Sequence, residues 1–197
     1  MSAIPLIPSA EQEWHLPYKG RIGMYGLIIA ETAIFTIFVV AYVFYIGKSL
    51  YGPTPAQVLD VPVFNTICLL SSSVTIWLSE RSIEHGNMRG FGLWWAATIV
   101  LGAIFLVGTG IEWNKLIYHD GLTISTNLFG TTFYSLVGLH ASHVVIGLIM
   151  LSLTLLFTLT GHVRHEHSER VQVLALYWHF VDAVWVVVFT VVYIVGR

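Results

Sequence analysis

The sequence predicts an all-α, polytopic membrane protein: a bundle of five transmembrane helices with the N-terminus cytoplasmic and the C-terminus outside. Of the 197 residues, 56% are hydrophobic and 10% are charged. Soluble domains carry about 25% charged residues, so lipid must be the solvent for most of this surface. Most of the charges fall in short polar segments between long apolar runs, and about 20 apolar residues suffice to cross a hydrocarbon core of about 30 Å. Counted by alternate loops, Lys19, Arg21, Arg81, Arg89, Arg164 and Arg170 share one side, against Lys48, Lys115 and Arg197 on the other. The side richer in Lys and Arg stays in the cytoplasm, which sets the predicted orientation.

Residues 1–22 read as a polar N-terminal arm that stays on the chain, because Pro5, Pro8, Glu11 and Glu13 interrupt any apolar core of a secretory signal. Hydropathy then places helices at about 23–46, 62–79, 91–111, 128–159 and 171–195, together forming one transmembrane domain over 1–197. Pro62 suits the first turn of the second helix, where its missing N–H is no loss. At the usual helical rise the fourth span would reach about 48 Å, so it should tilt or extend beyond the bilayer. The connections carry turn and interface chemistry: 47–61 holds Gly52, Pro53 and Pro55, 80–90 is charged, and 114–127 carries Lys115, His119 and Asp120. Trp77, Trp94, Trp95 and Trp113 sit near predicted helix ends, where indole rings settle at headgroup level.

Several function classes are excluded at this level. A formal charge of −2 leaves no basic surface to attract nucleic acid. The single cysteine, Cys68, lies in an apolar run and forms no disulfide within the chain. There is no nucleotide-binding loop, no ordered Ser/His/Asp set and no two-Glu metal site, so the chain is not expected to be catalytic alone.

What remains is a set of ionisable groups at membrane depth, each costing about 2.5–3.5 kcal/mol on insertion scales and therefore needing a partner or a task. Glu31, between Ala30 and Thr32 in the first span, either fixes helix packing through a hydrogen-bonded carboxyl or handles protons. His140 and His143 in the fourth span, and His179 and Asp182 in the fifth, are each three residues apart and present two polar groups on one helical face. Facing each other, the pairs would form an interhelical polar network, and such networks must be nearly fully satisfied. One helix does not supply both axial ligands to a single haem, and an i, i+3 pair without a thiolate is a poor metal site, so no metal is assigned to them. His162, His165 and His167 form a second cluster in a polar loop beside Arg164 and Glu166. Gly26 with Ala30, and Gly138 with Ser142, have the small-xxx-small spacing that lets helices approach closely.

The stretch Tyr177-Trp178-His179-Phe180-Val181-Asp182-Ala183-Val184-Trp185 resembles the most characteristic motif of cytochrome c oxidase subunit III. Upstream, Phe129-Gly130-Thr131-Thr132-Phe133-Tyr134, then Gly138-Leu139-His140, His143-Val144 and Gly147, resemble the penultimate helix of that family. Glu31 falls where the family has its intramembrane glutamate, Pro62 to Thr66 with Ser71 to Ser73 resemble the next helix, and Glu112-Trp113 resembles its Glu-Tyr pair. The five spans match in order, without the two N-terminal helices of the longer form and as in the short bacterial members. Val137, Ala141, Ser142 and Thr109 depart from the usual residues.

The resemblance implies a non-catalytic core subunit of a proton-translocating haem-copper terminal oxidase in aerobic respiration, in the inner (plasma) membrane. Its implied partners are the catalytic subunit I, subunit II, phospholipids and, at the widest, a respiratory supercomplex. No cofactor would sit in this chain apart from phospholipid, with haem and copper in the partner subunits. Glu31 would be proton-related or lipid-facing, His140, His143, His179 and Asp182 network residues, and Glu112 an interface carboxylate. A component of a quinol oxidase or a nitric oxide reductase is the neighbouring alternative, and a stand-alone proton or ion transporter the alternative from another class.

Overall fold

Among the described residues, five helices are long and apolar enough to cross a membrane, and there is no strand. The structure, a computed structural model, describes residues 19–161 and 168–196. The histidine cluster at 162–167 and most of the N-terminal arm lie outside them. The elements are α1 (Lys19–Tyr45), the one-turn α2 (Pro55–Val58), α3 (Val63–Glu84), α4 (Met88–Tyr118), α5 (Leu128–Leu159) and α6 (Ser168–Phe189), which continues as a π-helical segment over Thr190–Val195.

The helices overrun the apolar stretches that announce them. The charged segment at 80–90 is mostly helix: α3 runs on to Glu84 and α4 already begins at Met88. Likewise α4 continues through Lys115 to Tyr118. Hydropathy marks where a side chain prefers lipid, whereas the backbone ladder persists until a residue breaks it. Gly86 breaks it here, with φ +73°, and the side chain of Asn87 then caps α4 by accepting from the Gly90 amide at 3.0 Å. The resulting hairpin packs α3 and α4 as close antiparallel neighbours.

Asn127 does two tasks at the opposite end of the bundle. Its Oδ1 accepts from the Gly130 amide at 2.8 Å and caps α5, while its Nδ2 donates to the carbonyls of Tyr51 and Pro53 at 3.0 and 3.2 Å. The loop after α1 is thereby tied to the start of α5. Asn127→Ala is expected to lower bundle stability by about 1 kcal/mol, the usual loss for an N-cap. Thermal unfolding in detergent checks this, and Asn127→Asp, which keeps the capping oxygen but sets a carboxylate oxygen against the Tyr51 and Pro53 carbonyls, should recover only part of the difference.

The core is aromatic and is made possible by glycine. Trp178 is fully buried where α6 meets α3, α4 and α5. A Cβ on either Gly102 of α4 or Gly147 of α5 would lie 2.8 Å from its indole ring, closer than side-chain carbons ever approach. Two helices thus present bare backbone to one flat ring. Small residues serve close packing in lipid, where no hydrophobic force draws helices together. By contrast, the small-residue face at Gly26 has nothing within 4 Å.

Among the tryptophans, Trp77 and Trp94 are partly exposed, as residues at the headgroup level are. Trp95 is not: it is completely buried and donates its indole N–H to the Leu151 carbonyl at 2.9 Å. Position along a helix does not reveal azimuth, and Trp95 faces α5 rather than the bilayer boundary. Burial is uneven across the bundle. In the most apolar window of α1 only 11% of residues are buried, against 39% for the last span, so α1 is the helix left most open to lipid or a partner.

Candidate functional site

The intramembrane polar residues resolve into separate clusters, each tying two helices. In the first, Glu31 of α1 meets His143 of α5, with Oε2 and Nε2 3.1 Å apart. The His143 Nδ1 lies 2.8 Å from the Leu139 carbonyl, which accepts only, so Nδ1 carries a hydrogen and donates. The contact between Nε2 and Glu31 therefore holds one shared proton, on the carboxyl or on the imidazole. Phe35 packs against the His143 ring at 5.1 Å, and the Tyr177 hydroxyl donates to the His143 carbonyl at 3.3 Å. The side chains of His143 and Glu31 remain 10% and 21% exposed, so this pair is reachable from the lipid or partner side.

The second cluster joins α6 to α3. Ser73 donates its hydroxyl hydrogen to Asp182 Oδ2, His179 Nδ1 lies 3.4 Å from the same hydroxyl oxygen, and His179 Nε2 lies 3.7 Å from Glu80 Oε2. Beside them the Trp178 indole donates to Ser72 Oγ at 2.8 Å, and about two turns farther along α6 Trp185 donates to Thr66 Oγ1 at 3.2 Å. The small hydroxyl residues of α3 thus accept from, or donate to, successive polar groups of α6.

A third contact lies at the far end of α4, where Tyr193 donates to Glu112 Oε1 at 2.9 Å. Tyr193 belongs to the π-helical segment, and the wider turn there sets its azimuth; π segments are frequent at functional positions. One turn on, Lys115 pairs with Asp60 at 2.5 Å on an exposed surface. Such a surface pair contributes little, because water screens it.

The four residues read as one interhelical network are therefore distributed over two clusters. His143 turns to α1, and His179 with Asp182 to α3. His140 joins neither: it is fully buried, and neither ring nitrogen has a hydrogen-bond partner among the described residues. Its ring lies 5.0 Å from Trp185 and 5.9 Å from Phe105, in an aromatic layer. The physical reason lies in helix geometry. Three residues advance the helix by about 300°, leaving the pair about 60° apart in azimuth, enough for two side chains to aim at different neighbours. Spacing also missed the partners on α3: Ser72 and Ser73 stood out only as part of the stretch that resembles a family helix, and Glu80 as part of a charged loop.

At one end of the bundle the second cluster opens into a polar cleft of about 480 Å³ between α1, α3 and α6, lined by Arg21, Glu80, Arg81, Glu84, Gln172 and His179 among others. Arg21 bonds Gln172, which in turn donates to Glu84 at 2.7 Å, and Arg81 lies over the Trp77 ring at 4.3 Å. Among the described residues, no three His, Cys, Asp or Glu side chains converge as a metal site would require.

Comparison with known proteins gives the family of the chain. Residues 18–197 match the family described as Cytochrome c oxidase subunit III. The chain is 33% identical over 193 residues to Cytochrome c oxidase subunit 3 of Alkalihalophilus pseudofirmus, covering 96% of this chain and 94% of that one. It is 35% identical over 182 residues to Cytochrome c oxidase subunit 3 of a Synechocystis species, covering 90% and 76%. Quinol oxidase subunit 3 of Bacillus subtilis is 30% identical over 184 residues, covering 90% and 89%. With a family match over nearly its whole length and a five-span apolar bundle to carry it, this multi-pass membrane chain belongs to the cytochrome c oxidase subunit III family.

Proposed function

We propose that the chain is the non-catalytic subunit III of a haem-copper terminal oxidase of aerobic respiration, packed on catalytic subunit I beside subunit II in the plasma membrane. Haem and copper reside in those partners; this chain binds phospholipid, supports proton uptake and prolongs turnover. The N-terminus and the polar cleft face the cytoplasm, in keeping with the excess of Lys and Arg there.

The observation that carries the reading is the Glu31–His143 pair, two ionisable groups sharing a proton at membrane depth on the least covered helix. Intramembrane ionisable residues are rare and mark proton or ligand pathways. An exposed edge on that pair supports exchange with a partner subunit or a lipid headgroup rather than a sealed packing role.

Purification through a tag in mild detergent tests assembly: a larger haem-containing partner is expected, and a preparation without one overturns the reading. Glu31→Ala is expected to leave complex yield largely intact and to shorten the number of turnovers before inactivation. Unchanged turnover life in an assembled variant would return Glu31 to a packing role. The likeness to a quinol oxidase subunit supports a second reading that differs only in the electron donor. Oxidation of cytochrome c against oxidation of quinol by the co-purified complex separates the two.

A further inference from the structure

We propose that Glu80, His179 and Ser73 form a proton conduit from the polar cleft to the buried carboxyl of Asp182, which thereby serves as an exchangeable proton store. This goes beyond the assembly reading and does not depend on it, since every group lies within this chain.

Each step has a geometric basis. Glu80 and His179 both line the cleft. His179 Nε2 is 3.7 Å from Glu80 Oε2, just beyond direct hydrogen-bond reach, so a small side-chain movement joins them. On its other side the imidazole presents Nδ1 to Ser73 Oγ at 3.4 Å, and Ser73 donates to Asp182 Oδ2. Asp182 is only 3% exposed, and its Oδ1 has no hydrogen-bond partner among the described residues. From Glu80 to Ser73 is seven positions along α3, about 10 Å, or roughly a third of a hydrocarbon core. The route thus leads from an open surface to a carboxyl well inside the membrane and stops there.

The roles of the groups permit transfer in both directions. A proton from the cleft or from Glu80 binds His179 Nε2 as Nδ1 hands its hydrogen to Ser73 Oγ, and Ser73 releases its own hydroxyl hydrogen to Asp182 Oδ2. One proton enters, the carboxylate becomes a carboxylic acid, serine is restored, and the imidazole ends in its other neutral tautomer. Reversal discharges the store. A serine hydroxyl suits the middle position because it accepts and donates at once.

The surroundings favour a transferable proton over a fixed ion pair. The charged and titratable groups facing the route are Arg21 and Tyr25 from α1 and Glu80, Arg81 and Glu84 from α3, all of them at the cleft. Arg21 is engaged by Gln172 and Arg81 by Trp77, and the side chains in contact with Asp182 are neutral hydroxyls and an imidazole. A carboxyl at this depth without a fixed cation needs a way to gain and lose its proton.

The test is infrared difference spectroscopy on the full-length chain in lipid nanodiscs, with whatever subunits accompany it. Asp182→Asn identifies the carboxylic acid band, and ¹³C labelling of aspartate shifts the same band without any substitution. In heavy water the band should move down at once in the native chain. The shift should slow by roughly a hundredfold in Ser73→Ala and in His179→Gln, the lower end of what a positioned proton-transfer group contributes. Thr75→Val, which removes a hydroxyl on the same helix that bonds Thr98 instead, should leave the rate unchanged. Equal rates in the native chain and both relay variants would overturn the conduit. So would native exchange as slow as that of the α6 backbone amides, or the absence of an Asp182 carboxylic acid band at every pH.

Discussion

Replacing Trp178 by alanine is expected to lower the stability of the bundle by about 3 kcal/mol, near the low end for large aromatic deletions from a core. The low end applies because part of the usual loss is transfer of apolar surface from water, and in a bilayer the unfolded helices already lie in lipid. What remains is the cavity and the lost dispersion contacts. Both are large here, because the indole fills the space between Gly102 and Gly147, and neither glycine has a side chain to fill it in turn. The hydrogen bond to Ser72 Oγ is lost as well. Unfolding by denaturing detergent, followed by far-ultraviolet circular dichroism, measures the change. Trp178→Phe should recover much of the packing but not the Ser72 bond, and a loss under about 1 kcal/mol for the alanine variant would contradict this account of the core.

Asp182→Ala should weaken assembly of the bundle by about 1–3 kcal/mol, the range for leaving a buried hydrogen-bonding partner unsatisfied. Two effects compete. The variant removes a costly buried carboxyl, which favours folding, but it takes the short acceptor from the Ser73 hydroxyl, leaving only the longer His179 contact, and so weakens the hold of α6 on α3. The second should win, because Ser73 is only partly exposed on the α3–α6 seam and the surrounding lipid offers no substitute acceptor; hydrogen bonds between membrane helices reach about 1.7 kcal/mol. The yield of folded protein checks it, with Asp182→Asn as the informative partner: its carbonyl still accepts from Ser73, so folding should recover while proton storage does not. Full yield from Asp182→Ala would show that packing alone holds this seam.

Much of this molecule was legible as sequence because the solvent is lipid. A bilayer of fixed thickness with no hydrogen-bonding partners forces each crossing segment into a helix of predictable length, so 56% apolar residues with the charges largely confined between the apolar runs could hardly be arranged otherwise. The motif around Trp178, His179 and Asp182 likewise pointed to the family that the comparisons bear out. Helix ends were less legible, because α3 and α4 continue through Glu84 and from Met88 into territory that hydropathy assigns to a loop. Interfaces favour charged side chains on a still-helical backbone.

Azimuth was the quantity that the linear sequence withheld. The residues themselves determined a five-helix membrane bundle, the family, and the ionisable groups that must find partners within it. Tertiary structure alone decided the partners: Glu31 with His143, Ser73 and Glu80 with the Asp182–His179 pair, Tyr193 with Glu112, and aromatic rings around His140. The reason is that spacing along a helix fixes the angle between two side chains on that helix, whereas the direction in which either points depends on how the whole helix is rotated. That rotation is set by packing, here largely by where two glycines admit one tryptophan.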